Sequence, residues 1–276
     1  DVAGVALATA ISHGISAALI LKTLVSSRDV CRLNLRKLSF DPAIFKEMLK
    51  IGVPAGVQSS CFAISNMIIQ SSVNSFGSLA MAGTTAAMGL EGIVNVGSYA
   101  YHQTAISFVA QNLGGKRYKR ILKSLYDCLI CSGCSCFIMG MGFYLLGPVL
   151  LPVFNPNPDV VTWGMLRMKI MFTTYFLCGF MEVASGGLRG LGYSFLSALV
   201  TMIFACAFRV WWVLAIFPHY RTMENLLLSY PVSWILITLI NGALLFWGIQ
   251  RLFRAQRLRV PAAGNEVLAL QGGGIR

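Results

Sequence analysis

Seven apolar runs, separated by loops of alternating basic content, limit this chain to one class of fold. The runs cover about residues 2–21, 54–76, 80–103, 124–147, 170–188, 194–217 and 227–249. A hydrocarbon layer roughly 30 Å thick needs about 20 helical residues, which each run approaches or exceeds. Only 12% of the 276 residues are charged and 56% are hydrophobic, whereas a soluble domain carries about 25% charged residues. The expected fold is an all-α membrane protein of about seven transmembrane helices.

The loops supply the orientation. Loop 22–50 holds Lys22, Arg28, Arg32, Arg36, Lys37, Lys46 and Lys50, and the turn at 77–79 holds no basic residue. Loop 104–123 holds Lys116, Arg117, Lys119, Arg120 and Lys123. Loop 148–169 holds only Arg167 and Lys169, near its end. Arg189 lies at the next turn, loop 218–226 holds Arg221, and the tail holds Arg251, Arg254, Arg257 and Arg259. Basic loops stay cytoplasmic, so the first span starts outside and the C-terminus is cytoplasmic, as in a multi-pass protein of a bacterial inner membrane. The net charge of +12 is therefore a topology signal. Its basic clusters lack interleaved aromatics and a folded domain, which argues against nucleic-acid binding.

Four segments are expected. Residues 1–24 form a first span, and the sign pattern of the loops also fits a missing N-terminal part with an odd number of spans. Residues 25–50 form a basic cytoplasmic loop with a short surface helix, capped by Asp41 with Pro42 in its first turn. Residues 51–253 hold six further spans, and 254–276 form a disordered cytoplasmic tail. The chain starts at Asp1 inside an apolar run and reads as a fragment of a longer protein.

Two spans carry polar stripes. Gln58, Asn66, Gln70 and Asn74 recur at multiples of four, and Glu91, Asn95, Ser98 and His102 at four, three and four. Both spacings line one helical face. Such a face meets water in a cavity or another polar helix. Glu91 and Glu182 are the carboxylates well inside predicted spans. Placing one at membrane depth costs about 2.5–3.5 kcal/mol on insertion scales, so each faces a cavity or ties two helices together. A carboxylate there can exchange a proton or bind sodium beside amide and hydroxyl oxygens. Tyr175, Cys178 and Ser185 share the helical neighbourhood of Glu182. Arg209, inside AFRVWW, either pairs with Glu182 or extends its head toward the interface. Gly186 and Gly190 have the spacing of close helix packing.

Enzyme signals fail. Cys128, Cys131, Cys134 and Cys136 only partly resemble an iron–sulfur run and lie in a spanning helix. The LGGK at 113–116 lacks the Walker spacing. Neither a Ser/His/Asp set nor HExxH occurs. No metal centre or cofactor is expected.

In order, IGVPAGVQ (51–58), SFGSLAMAG (75–83), QNLGGKRYKR (111–120) and GGLRGLGYS (186–194) resemble the C-terminal half of the multidrug and toxic-compound extrusion (MATE) transporters. DVAGVALATAIS (1–12) is similar to that family's sixth span. The resemblance implies two six-helix lobes rocking around a central cavity, with export coupled to sodium or proton entry. This chain corresponds to the end of the N-lobe plus a MATE-like six-helix C-lobe. Many members carry an acid in the first C-lobe span; here span 54–76 offers amides instead.

The expected function is multidrug efflux by Na+ or H+ antiport, with organic cations or drugs as substrates and a missing N-terminal lobe as partner. Glu91 and Glu182 are the coupling candidates. Gln58, Asn66, Gln70, Asn74, Met88, Asn95, Tyr99, His102 and Tyr175 are the cavity candidates. Met and aromatic side chains such as Phe62, Met67 and Met81 suit varied apolar cations. Glu91→Gln is expected to abolish drug resistance while leaving expression normal. The alternatives are a lipid-linked oligosaccharide flippase, which needs a cavity rich in Arg and Lys, and a non-functional truncated product.

Overall fold

The computed structural model describes residues 2–27, 32–34 and 39–259. Among them every regular element is a helix, and the protein is an all-α membrane protein. The chain divides into two units, Asp1–Lys50 and Ile51–Arg276. The first holds the apolar helix α1 (Val2–Ser26) and the beginning of α2 (Pro42–Asn74).

The larger unit continues with α3 (Ser78–Gly114), α4 (Tyr118–Phe154), α5 (Pro158–Thr173) and α6 (Tyr175–Gly190). Then come α7 (Ser194–Thr201), a π-helical turn (Met202–Ala207), α8 (Phe208–Trp211), a second π turn (Trp212–Ile216) and α9 (Met223–Arg259). Among the described residues, five stretches are long and apolar enough to cross a membrane: Ala6–Ser26, Ser78–Gly114, Tyr118–Phe154, Ser194–Ile216 and Met223–Arg254. The other two expected runs are helical but fall short for identifiable reasons. Serines and amides dilute the hydropathy of α2. The α5–α6 run breaks at Thr174, whose hydroxyl donates to the Ile170 carbonyl 2.7 Å away, leaving two helices of 16 residues each.

Four expected boundaries are corrected. Asp41 does cap a helix, its Oδ1 accepting from Ala43 N at 2.8 Å. That helix is not a separate surface element, however: α2 carries Pro54 inside it and ends only at Asn74. The loop expected at 148–169 shrinks to 155–157. Helix α4 tolerates Pro148 and Pro152, and α5 starts at Pro158 under an Asn157 cap, 2.9 Å from Asp159 N. Proline breaks helices in water, but membrane helices keep it where neighbours re-satisfy the freed backbone groups. The loop at 104–123 is likewise mostly helical, reduced to Gly115–Arg117 around Lys116 at φ 53°. Residues 254–259 of the expected disordered tail continue α9. Residues 260–276 lie outside the described residues, as do Arg28, Cys31, Arg36 and Lys37 of the basic loop.

The lobe packs around α6, which touches α3, α4 and α9. Gly186 and Gly190 let α6 approach α3. A Cβ on Gly186 would stand 2.5 Å from the His102 carbonyl, and one on Gly190 2.9 Å from that of Ile106. This contact sets His102 of α3 against Glu182 of α6. The core beside it includes Leu90, Val94, Met168, Met171, Phe172, Tyr175 and Trp234. Of the cysteine run in α4, Cys128 and Cys136 are buried while Cys131 and Cys134 are exposed, so the four do not share a face.

Candidate functional site

Among the described residues of the larger unit, two polar clusters involve α3. They are centred on Glu91 and His102, eleven residues or roughly 16 Å apart along the helix.

The first cluster joins α3 to α5. Arg167 donates to Glu91 Oε2 from Nη2 at 2.8 Å and from Nε at 3.2 Å. Its side chain is only 3% exposed and that of Glu91 16%. Both bonds converge on one oxygen of the Glu91 side chain and are charge-assisted. Arg167 also lies 5.9 Å from the Tyr230 ring of α9. A second arginine, Arg209, lies 4.2 Å from the same ring and donates from Nε to Ser233 Oγ at 2.9 Å. Ser233 in turn donates to the Tyr230 carbonyl at 2.7 Å. The Tyr230 hydroxyl donates to Asn66 Oδ1 at 3.4 Å, and Asn95 Nδ2 to the Tyr175 hydroxyl at 3.0 Å. Arg209 therefore neither pairs with Glu182 nor extends to an interface: its partners are an aromatic face and a serine.

The second cluster lines a cavity of about 270 Å³. Its wall includes Gln58 and Phe62 of α2, Tyr99 and His102 of α3, Glu182, Ser185 and Arg189 of α6, and Thr201 of α7. His102 Nδ1 lies 2.9 Å from Glu182 Oε2 and 3.0 Å from the Glu182 carbonyl oxygen. Both of those oxygens accept, so Nδ1 carries a proton and donates. The Tyr99 ring stacks on the imidazole at 5.6 Å and 11°. Glu182 keeps 24% of its side chain exposed. Arg189 donates from Nη2 to Gln58 Oε1 at 2.6 Å, and its buried Nε has no hydrogen-bond partner among the described residues. Behind the wall, Asn241 of α9 donates to Ser185 Oγ at 2.8 Å.

Of the residues singled out by sequence, the structure brings Gln58, Tyr99, His102 and Glu182 to this cavity. It puts Asn66, Glu91, Asn95 and Tyr175 into the polar contacts of the first region. Gln70 Nε2 donates only to Asn74 Oδ1 one turn on, at 3.3 Å, and Met88 is exposed. Three participants are not legible as such in the sequence. Arg167 falls in an expected loop, Tyr230 in an ordinary apolar run, and Ser233 beside it. The one usable signal is arginine within apolar sequence.

The MatE family model matches residues 54–214. A probable multidrug resistance protein of Bacillus subtilis (strain 168), YpnP, is 27% identical over 145 residues, which is 52% of this chain and 33% of that protein. The multidrug export protein MepA of Staphylococcus aureus (strain MSSA476) is 21% identical over 193 residues, 70% of this chain and 42% of MepA. A crystal structure of MATE in complex with MaL6 superposes with a TM-score of 0.77 at 17% identity, covering 92% of this chain and 57% of the other. The chain thus spans between a third and somewhat over half the length of these proteins.

Proposed function

The chain belongs to the MatE family, and on that premise we propose that it works within a proton-coupled exporter of amphipathic drugs, with Glu182 and His102 as the coupling pair. The observation that carries this reading is the Glu182–His102 contact on the wall of a polar cavity. The names of YpnP and MepA support drug export.

The chemistry favours a proton over sodium. A hard cation needs a shell of oxygen donors, and one Glu182 oxygen already faces the His102 N–H. A proton arriving on Glu182 weakens the charge-assisted bond to His102 and loosens the α3–α6 contact at that level. A carboxylate that must lose its proton to attract a cationic substrate couples the two flows. Alternation between lobes then moves substrate and proton in opposite directions. Glu91 is less suited to this role, because protonating it would leave Arg167 buried and unpaired.

The test uses the full-length transporter in inside-out vesicles, with ethidium as substrate. Glu182→Gln is expected to abolish ethidium accumulation driven by a pH gradient, at an unchanged membrane level of protein. Wild-type accumulation by the variant, or accumulation driven by a sodium gradient alone, would overturn the assignment.

A further inference from the structure

The geometry points to a second recognition element: Arg209, with Tyr230 and Asn66, forms a subsite for an oxyanion, such as a carboxylate, carried by an amphipathic organic molecule. This proposal rests on the transporter reading above but not on its proton coupling.

The cluster is unbalanced in charge. Among its described residues, Glu91 is the carboxylate, and both of its side-chain hydrogen bonds go to Arg167. Arg209, with 3% of its surface exposed, is left without an acidic partner. Its Nε is used by Ser233, and its two terminal nitrogens donate to no described residue. The Tyr230 ring offers only the partial compensation of a cation–π contact. A buried guanidinium at membrane depth is costly unless an anion is available to it. Two arginines and one carboxylate leave the cluster one positive charge in excess.

The backbone around Arg209 is specialised as well. Phe208 N–H bonds to Ile203 O and Phe217 N–H to Trp212 O, five residues back in each case. The arginine thus sits on a four-residue α turn between two π turns. Each π turn inserts a residue into the helix and rotates the next turn about the axis, a device frequent at functional sites. Across the same ring, Pro231 inside α9 has no N–H for the Leu227 carbonyl, so α9 lacks one backbone hydrogen bond beside Tyr230. At the hydroxyl end of the ring, the exposed amide of Asn66 accepts from the Tyr230 hydroxyl. Guanidinium fork, aromatic ring and amide together suit a carboxylate joined to an apolar aromatic body. The subsite extends the range of substrates from organic cations to zwitterionic and anionic compounds.

Equilibrium binding to the purified full-length transporter in detergent tests this, read from intrinsic tryptophan fluorescence with fluorescein as the anionic aromatic probe and ethidium as the cationic one. Arg209→Gln is expected to weaken fluorescein binding at least tenfold, Arg209→Lys to restore part of it, and both to leave ethidium binding within twofold of wild type. Asn66→Asp is the second variant. It is isosteric, lies on an exposed site, and supplies a competing carboxylate, so it is expected to suppress fluorescein binding without unfolding the protein. Fluorescein binding that survives both Arg209→Gln and Asn66→Asp, absence of fluorescein binding by the wild type, or equal loss of both dyes would overturn the proposal. Because binding is read without any gradient, these outcomes are independent of the Glu182→Gln transport result.

Discussion

At the residue scale, the partner of Glu91 changes what a mutation there reports. The sequence marks Glu91 as a carboxylate in search of a cavity, and Glu91→Gln as a clean test of coupling. With Arg167 bonded twice to its Oε2, the substitution instead strands a buried arginine. Breaking a buried pair from one side costs about 3–5 kcal/mol. The lower end applies here, since Glu91 keeps 16% exposure. Glu91→Gln and Arg167→Met are each expected to lower the melting temperature in detergent and the level of protein in membranes. The double variant is expected to cost clearly less than the sum of the two. Strict additivity in that cycle would show that the pair is not coupled. The pairing is not legible in the sequence because the two residues lie 76 positions apart and Arg167 sits just after a proline-rich stretch that reads as loop.

At the element scale, glycine decides how closely the helices approach. In α4, a Cβ on Gly140 would run into the backbone carbonyl of Phe172, whereas one on Gly142 would meet nothing within 4 Å. Gly140→Ala is therefore expected to destabilise the lobe by about 1–3 kcal/mol through overpacking against a backbone atom. Gly142→Ala, two residues along the same helix, is expected to be neutral or to stabilise by up to about 1 kcal/mol. Thermal unfolding of the two variants in one detergent makes the comparison, and equal melting temperatures would contradict it. The GxxxG spacing of Gly186 and Gly190 announces close packing from sequence alone. The tight site at Gly140 has no such signature, because its partner is a backbone carbonyl and the sequence does not say which helix supplies it. The periodicity of polar residues shows the same limit. It lines up Gln58, Asn66, Gln70 and Asn74 on α2, yet Gln58 reaches Arg189, Asn66 reaches Tyr230, and Gln70 bonds only to Asn74.

At the scale of the whole molecule, basic residues gather at one end of the helices. The α3–α4 turn and the start of α4 carry Lys116, Arg117, Lys119, Arg120 and Lys123, and the end of α9 carries Arg251, Arg254, Arg257 and Arg259, while residues 155–157 carry none. The positive-inside rule then predicts opposite accessibility for the two ends of α4. In a cysteine-free background, an impermeant maleimide is expected to label Asn155→Cys in intact cells and Lys119→Cys only after permeabilisation. The reverse pattern would invert the topology. Hydropathy, loop charge and short ordered motifs are local properties of the chain, so the all-helical membrane architecture and the family can be read from the residues alone. Helix packing had to be known before Glu91 could be tied to Arg167, Glu182 set against His102 on a cavity, and Arg209 laid on Tyr230. Each of those contacts depends on which helix faces which and at what depth, and side-chain partners on separate helices leave no periodic trace in either one.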